Sequence, residues 1–196
     1  MPEIIIKTLD EAEELKPELD AIREDFLNSK HFCCCIPAGT DSEKAEEKYF
    51  KKCPELKKVC GLAINSESNK VMGFCQMTFE GMPNLLHTTK PGEAYIYMLA
   101  VGEGARGMGV GSKLMAWAEE IARERQCSYM ALEVIYNNPA TRLYERKGYV
   151  IQKTALWKKI LFAVPLMFFM GPVTCTSNSS PYCNYGQPYY MKKPLE

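Results

Sequence analysis

The chain has 196 residues, of which 46% are hydrophobic and 24% are charged. Such a length and composition predict a soluble globular protein with one ordinary domain, or at most two small ones. Lysine plus arginine and aspartate plus glutamate balance at 24 each. The basic excess typical of nucleic-acid-binding proteins is therefore missing, and we expect no nucleic-acid partner.

The nine cysteines do not show the spacing of metal ligands. Cys33, Cys34 and Cys35 are consecutive, and no C-x-x-C pair occurs in the sequence. We therefore predict reduced thiols and no metal site. The first residues, "MPEIIIKTLD", do not combine a charged leader with a long apolar run. This pattern predicts a cytoplasmic protein.

The first half of the chain predicts strands and helices in a mixed order. A β-branched run predicts a strand over 3–9, and helical spacing predicts a helix over 10–27 with Pro17 near its start. A capping signal predicts a second helix over 41–53. Two apolar runs, at 59–65 and 70–80, predict a hairpin, and a loop precedes a buried strand at 94–101.

The second half continues with a glycine-rich stretch and an amphipathic helix. Apolar residues of this helix recur at i, i+3, i+4 and i+7, as Leu114, Trp117, Ala118 and Ile121. Further on, the pattern predicts a strand over 129–136, a short helix over 139–147 ended by Gly148, and strands over 149–155 and 189–195.

The stretch "RGMGVGSKLMAW", 106–117, places three glycines within five positions directly before the helix. A helix N-terminus offers free N–H groups to an anion, usually a phosphate, and glycines let the anion approach the backbone. The order of Ser112 and Lys113 excludes a nucleotide P-loop. A G-x-G-x-x-G match at 102–107 ends before the periodic helix begins, so it supports a dinucleotide-binding fold only weakly.

"RGMGVG" resembles the R/Q-x-x-G-x-G/A signature of the GNAT superfamily of N-acetyltransferases. The resemblance extends over about 55 residues, through "L-A-V", "L-E-V" and "N-x-x-A-x-x-L-Y-E-x-x-G-Y". It implies a single α/β domain over 1–196, with a mixed, mostly antiparallel sheet flanked by helices. The sheet of this family is splayed between its fourth and fifth strands.

The resemblance also implies that acetyl-coenzyme A is the co-substrate. Its diphosphate would lie on the N–H groups of the turn, and its pantetheine arm would enter the splayed gap beside the strand. Asn137 corresponds to a family asparagine that faces the arm. The implied cofactor-binding residues are Leu99, Ala100, Val101, Arg106, Gly107, Met108, Gly109, Val110, Gly111, Ser112, Asn137 and Tyr144.

The implied reaction is direct transfer of the acetyl group to an acceptor amine, from a small molecule or a protein. Tyr144 corresponds to the family's acid, which returns a proton to the leaving thiolate. The base is less clear, because the strand at 94–101 carries tyrosines where family members often have a carboxylate. Glu93 is the first candidate for the base, and its rivals are Glu80, Glu133 and His87.

An apolar insertion at about 157–188 separates the last two predicted strands. The run from 160 to 170 has no polar side chain but is too short to span a membrane and contains Pro165. It is interpreted either as a buried lid that shapes the acceptor pocket or as a contact with a membrane surface. In the second case the cytoplasmic protein would be peripheral to a membrane.

Two alternatives to an acetyltransferase stay open at this stage. The first is a non-catalytic acyl-coenzyme A binding module, because the sequence does not identify the base. The second is a nicotinamide-dependent oxidoreductase, which rests only on the overlapping glycine match.

Overall fold

A computed structural model of the chain describes residues 3–28, 50–84, 87–134, 138–152 and 189–195. These residues contain two long helices, α1 (Lys16–Asn28) and α3 (Val110–Glu124), and two short ones, α2 (Glu55–Lys58) and α4 (Thr141–Arg146). The strands within the same ranges are β1 (Ile4–Thr8), β2 (Cys60–Asn65), β3 (Val71–Thr78), β4 (Glu93–Val101), β5 (Tyr129–Val134), β6 (Val150–Ile151) and β7 (Tyr189–Pro194).

The strands form one sheet in the order β1-β2-β3-β4-β5-β7-β6. The β4–β5 pair is parallel, and the other five pairs are antiparallel. A parallel pair needs a long crossover, and α3 supplies it between β4 and β5. The mixed, mostly antiparallel sheet predicted from the sequence is thus confirmed.

Helices cover both faces of the sheet. On β3, the guanidinium of Arg23 from α1 lies 5.3 Å from the centre of the Phe74 ring. A methyl group at the neighbouring Gly73 would lie 3.3 Å from Val110 of α3. Because successive residues of a strand point to opposite faces, α1 and α3 pack on opposite sides of the sheet.

Helix α3 buries the stripe that its sequence predicts. Leu114 and Ala118 are fully buried, and Trp117 and Ile121 pack partly buried against the same core. Burying a large apolar side chain contributes about 1.5–3 kcal/mol each. This stripe therefore fixes the helix, and the glycine turn before it, against the sheet.

The β4–β5 pairing ends before either strand does. Its last pair is Ile96 with Leu132, although β4 continues to Val101 and β5 to Val134. On its other side β4 stays paired with β3 up to Val101, with an irregularity that skips Tyr97. The sheet is therefore open between β4 and β5 along residues 97–101, as the resemblance implied.

Other expectations meet the structure only in part. Residues 50–52 are helical, but 41–49 of the predicted second helix lie outside the described residues. The strand predicted over 149–155 is described only as β6, Val150–Ile151. The apolar insertion at 157–188 lies outside the described residues. Within the described ranges, no helix is long and apolar enough to cross a membrane.

Replacing Gly61 with alanine should destabilise the fold. The new methyl group on β2 would lie 2.6 Å from the Trp117 ring of α3, so the ring must move. Overpacking of this kind costs about 1–3 kcal/mol, measured as the free energy of unfolding in urea. Gly104→Ala is the matched control, because a methyl there meets no described atom within 4 Å. Equal stabilities of the two variants would contradict this packing.

Candidate functional site

The glycine turn presents backbone N–H groups at the start of α3. Gly107 and Gly109 have φ angles of 78° and 82°, which glycine adopts without the Cβ clash of other residues. Gly109 is the N-cap residue, and its carbonyl accepts the N–H of Lys113 at 3.1 Å. The N–H groups of Val110, Gly111 and Ser112 precede that first helical bond, so α3 itself gives them no acceptor.

Two of the predicted donors have backbone partners in the turn. The N–H of Arg106 donates to the Glu103 carbonyl at 3.3 Å, and that of Met108 donates to the Ala105 carbonyl at 3.4 Å. Both distances are beyond the usual range for such bonds. The donor set that remains for an anion is therefore Gly107, Gly109, Val110, Gly111 and Ser112, next to the positive end of the α3 dipole.

Strand β4 forms one wall of the opening. From Glu93 to Ile96 its residues are buried, whereas Leu99 and Val101 are only partly buried and Ala100 remains covered. The change coincides with the loss of the β5 partner after Ile96. Beyond this pair β5 gives the backbone of residues 98–101 no partner, so a molecule could lie in the opening there like an added strand.

Tyr144 of α4 lies buried on the α3 side of the opening. Its neighbour Leu143 would be 3.2 Å from a methyl group at Gly111, so α4 packs directly on the glycine turn. Burial raises the pKa of the Tyr144 hydroxyl, and the nearby Cys75 adds to the rise. A phenol held in its protonated form can donate a proton.

The turn after α4 fixes the position of Tyr144. Gly148 has a φ of 88°, and the N–H of Tyr149 donates to the Tyr144 carbonyl at 3.0 Å. The Tyr144 and Tyr149 ring centres are 6.2 Å apart. This end at Gly148 is the one predicted from the sequence, and it closes the helix with a left-handed glycine.

A buried carboxylate lies on the opposite face of the sheet from α3. Glu93 is 1% exposed, and its Oε1 accepts a hydrogen bond from the Tyr190 hydroxyl at 2.5 Å. Its Oε2 accepts the Lys90 N–H at 2.8 Å and lies 3.1 Å from His87 Nε2. The side chain that the sequence proposes as base is therefore surrounded by donors.

These donors decide the charge of Glu93. Burial by itself raises the pKa of a carboxyl group, because it disfavours the charged form. The hydrogen bonds from Tyr190, the Lys90 N–H and His87 outweigh burial and hold the pKa of Glu93 below its usual value. Burial, together with the bond to Glu93, raises the pKa of Tyr190, so this hydroxyl stays a donor.

His87 lies flat between Glu93 and two aromatic rings. Its ring centre is 4.2 Å from that of Tyr95, with 14° between the planes, and 5.7 Å from that of Tyr190. It also lines a cleft of about 380 Å³ in the loop between β3 and β4, together with Asn84 and Thr89. The imidazole thus joins the buried carboxylate to an accessible cleft.

The loop before β4 is held to the sheet by polar bonds. Thr78 Oγ1 lies 3.2 Å from Thr89 Oγ1 and accepts a hydrogen bond from Asn84 Nδ2 at 3.0 Å. Asn84 Oδ1 in turn accepts the N–H of His87 at 3.2 Å. These contacts fix the backbone that carries His87.

The sequence candidates fall into two groups around the opening. The turn residues, β4 and Tyr144 line it on one side, and Glu93 and His87 lie on the other face of the sheet. Glu133 follows the last β4–β5 pair and is opposite Tyr190 on β7. Glu80 is exposed in the loop. Asn137 lies outside the described residues.

Sequence analysis missed Tyr190 and the stacking of His87 on Tyr95. Tyr190 is 97 positions from Glu93 along the chain, and only the pairing of β7 with β5 brings them together. The "YYMKKPL" run predicts a strand, but nothing in the run indicates which strand it will join. The available signal is weak, because an aromatic residue that packs beside a buried acid carries no distinctive sequence pattern.

The comparisons with known proteins agree with this geometry. The sequence model of the family described as "Acetyltransferase (GNAT) family" matches residues 19–149. The chain is 34% identical over 93 residues to the acetyltransferase Atu2258 of Agrobacterium fabrum. That match covers 47% of this chain and 60% of the relative's length.

Solved structures share the fold at low sequence identity. A GCN5-related N-acetyltransferase from Kribbella flavida superposes with a TM-score of 0.65 and 16% identity, over 98% of both chains. The PaiA N-acetyltransferase of Thermoplasma acidophilum, solved in complex with coenzyme A, gives 0.61 and 15%, over 98% of this chain and 99% of its own. The chain belongs to the GNAT family of acetyltransferases.

Replacing Tyr190 with phenylalanine should raise the pKa of Glu93, because one of the bonds that hold it down is lost. In the wild type the folded-state pKa lies below the unfolded-state value. Ionised Glu93 therefore stabilises the fold above the unfolded-state value, and this contribution is lost as the pH falls through the folded-state pKa. Carbon-13 NMR titration of the carboxyl group measures the shift directly.

The matched control is Tyr129→Phe, which removes a neighbouring hydroxyl and keeps the Tyr190 bond. In Tyr190→Phe, the loss of stability on acidification should begin at a higher pH than in the control. An unchanged titration of Glu93 in Tyr190→Phe would contradict the hydrogen bond.

Proposed function

We propose that this protein is an acetyl-coenzyme A dependent N-acetyltransferase that transfers the acetyl group directly to an acceptor amine in a ternary complex. The observation that carries the proposal is the meeting of two features at one place. The β4–β5 pairing ends at Ile96, and the glycine turn after β4 leads into α3, whose first N–H groups have no acceptor within the helix. A long ligand with a diphosphate at one end fits both.

Coenzyme A has the chemistry that this arrangement requires. Its diphosphate lies on the N–H groups of Gly107, Gly109, Val110, Gly111 and Ser112, and its pantetheine arm lies along β4. The amide groups of the arm pair with the backbone of Leu99, Ala100 and Val101, as an additional strand would. Arg106 adds a positive charge near the diphosphate. The family resemblance also assigns Asn137, which lies outside the described residues, to the arm. The structurally similar PaiA N-acetyltransferase was solved in complex with coenzyme A, which supports coenzyme A as the ligand.

The reaction proceeds by direct attack of the neutral amine on the thioester carbonyl. A nitrogen–carbon bond forms, and an N–H near Leu99 stabilises the charge that develops on the carbonyl oxygen. The carbon–sulfur bond then breaks, and Tyr144 donates its proton to the thiolate. The cluster around Glu93 receives the proton that the amine loses.

The acceptor is an amine of a small molecule or of a protein. We propose that the insertion at 157–188, which separates β6 from β7 along the chain, belongs to the same single domain and influences the choice of acceptor. Contact of residues 160–170 with a membrane surface stays a prediction, as does the cytoplasmic location. Deleting 158–186 should change the preference among amines.

A non-catalytic acyl-coenzyme A binding module is the second candidate. It is favoured by one observation: both oxygens of Glu93 already accept hydrogen bonds, so this carboxylate has little capacity left for a water or an amine. Binding without turnover would identify such a module.

Two measurements on the purified chain test the proposal. Thermal unfolding with acetyl-coenzyme A, NAD or NADP separates the ligand classes, and only acetyl-coenzyme A should raise the midpoint. Thiol release is then followed with spermidine, a peptide with a free N-terminus and a lysine peptide with a blocked N-terminus. Release with at least one amine supports the enzyme, and stabilisation without release supports the binding module.

Replacing Gly109 with alanine should weaken the binding of acetyl-coenzyme A about tenfold. A side chain at a φ of 82° costs about 1–2 kcal/mol. We expect the turn to leave this conformation and so lose the shape that binds the anion, which weakens binding by a similar free energy. Titration calorimetry measures the loss. Gly104→Ala is the control, and S-acetylpantetheine, which lacks the diphosphate, should bind both variants alike. Equal losses for both ligands would exclude a diphosphate site at the turn.

Replacing Tyr144 with phenylalanine should lower kcat about 10²–10⁴-fold and leave the KM for acetyl-coenzyme A nearly unchanged. The ring keeps its packing, and only the proton donor is lost. Tyr149→Phe is the matched control, because its hydroxyl donates to Met130 Sδ at 3.3 Å instead. Steady-state thiol release measures both. Similar kcat values for the two variants would remove Tyr144 from the chemistry.

A further inference from the structure

We propose that His87 is the base that takes the proton from the acceptor amine, and that Glu93 is the residue that positions it. This inference rests on the acetyltransferase activity proposed above and assigns a role at the same site. The sequence offers both residues as rivals for one role, whereas the geometry gives them different roles.

The hydrogen bonds of Glu93 fix the direction of its bond with His87. An ionised carboxylate has acceptors only, and the Lys90 N–H and the Tyr190 hydroxyl already donate to it. The third contact, 3.1 Å from His87 Nε2 to Glu93 Oε2, is therefore also a bond that Glu93 accepts. In the neutral imidazole this places the hydrogen on Nε2.

A neutral imidazole carries one hydrogen, so Nδ1 keeps its lone pair. A carboxylate that holds one ring nitrogen as donor sets the tautomer and strengthens the other nitrogen as a base. Glu93 thus makes Nδ1 the proton acceptor of this site without contacting the substrate.

The two side chains differ in accessibility. The His87 side chain is 14% exposed, whereas that of Glu93 is 0% exposed. His87 is one of the residues that line the cleft of about 380 Å³, and Glu93 is not among them. An amine in the cleft would therefore meet His87 and not Glu93.

Stacking holds the imidazole beside the opening of the sheet. The Tyr95 ring lies parallel to it at 4.2 Å, and Tyr95 directly precedes Ile96, the last β4 residue paired with β5. The centre of the Tyr190 ring lies 5.7 Å from that of the imidazole. A ring fixed in this way loses little freedom when it receives a proton.

Every proton and bond of the proposed step is accounted for. As the nitrogen–carbon bond forms, the amine proton moves to His87 Nδ1, and the imidazolium is paired with ionised Glu93. The carbon–sulfur bond breaks, and the thiolate takes the Tyr144 proton. His87 then releases its proton to solvent through the cleft, and Tyr144 regains one from solvent.

Several charged or titratable groups face the imidazole from neighbouring elements. Glu93 and Tyr95 belong to β4, Glu133 to β5, and Tyr190 and Lys192 to β7. Lys192 Nζ lies 5.4 Å from the Tyr190 ring centre and 4.0 Å from that of Tyr129. Among these groups, Glu93 accepts a hydrogen bond from the ring.

The tautomer can be measured without activity. The chain contains two histidines, His31 and His87, so the signals that disappear in His87→Gln identify the second. Long-range proton–nitrogen NMR of the wild-type protein at neutral imidazole should show His87 with its hydrogen on Nε2. A hydrogen on Nδ1 would overturn the proposal.

Kinetics of the full chain test the roles. With acetyl-coenzyme A and the amine of the panel that gives the fastest thiol release, His87→Gln should lower kcat about 100-fold. The KM for acetyl-coenzyme A should stay unchanged. Glu67→Gln, an exposed glutamate of the turn between β2 and β3 that is not a candidate for the base, is the control. A His87→Gln variant as fast as this control would overturn the proposal.

The positioning role of Glu93 can be tested separately by comparing single and double variants. Glu93→Gln should lower kcat less than His87→Gln, and the double variant should be no slower than His87→Gln alone, because Glu93 acts through the imidazole. Additive losses would overturn the coupling. If the wild type releases no thiol with any amine, the proposed function itself fails. If it releases thiol and His87→Gln matches the control, only the role of His87 fails.

Discussion

The site depends on the place where two neighbouring strands stop pairing. Strands β4 and β5 are parallel up to Ile96 and Leu132, and beyond that pair β4 continues beside β3 without β5 among the described strands. A buried strand that loses one partner leaves N–H and C=O groups that must find another acceptor or donor. The early end of the β4–β5 pairing therefore favours a ligand that can pair with the β4 backbone as a strand would. The glycine turn at the end of β4 adds the anion site at one end of the same gap.

The two faces of the sheet carry different candidate catalytic groups around this gap. On the α3 face, packing of α4 on the glycine turn places the buried hydroxyl of Tyr144 beside the opening. On the other face, the β3–β4 loop carries His87 above Glu93, and β7 supplies Tyr190. Burial alone would make Glu93 a neutral acid. Its three donors reverse this effect and hold its pKa below the usual value, so the carboxylate stays charged beside the imidazole. A cofactor in the gap would lie between a proton donor and a proton acceptor.

Sequence reasoning recovered the frame of this arrangement and part of its chemistry. The strand at 94–101, the turn at 106–112 and the amphipathic helix after it are recognisable because local periodicity and glycine spacing reflect local structure. The roles of Tyr144 and of the N–H groups of the glycine turn followed from a family resemblance in the same continuous stretch. The base was ambiguous between Glu93, Glu80, Glu133 and His87. These side chains differ in burial and in hydrogen-bond partners, and neither property can be predicted from the neighbouring residues in the sequence.

By itself, the sequence determined the order of the elements, the helix stripe of Leu114 and Ala118, and the glycine turn, since each depends on residues close along the chain. The tertiary structure alone decided that Tyr190 bonds Glu93, that His87 stacks on Tyr95, and that the carboxylate is covered while the imidazole is not. These contacts depend on β7 inserting between β5 and β6 and on a loop folding over one face. Such long-range pairing is set by the packing of the whole sheet, so no short segment specifies it.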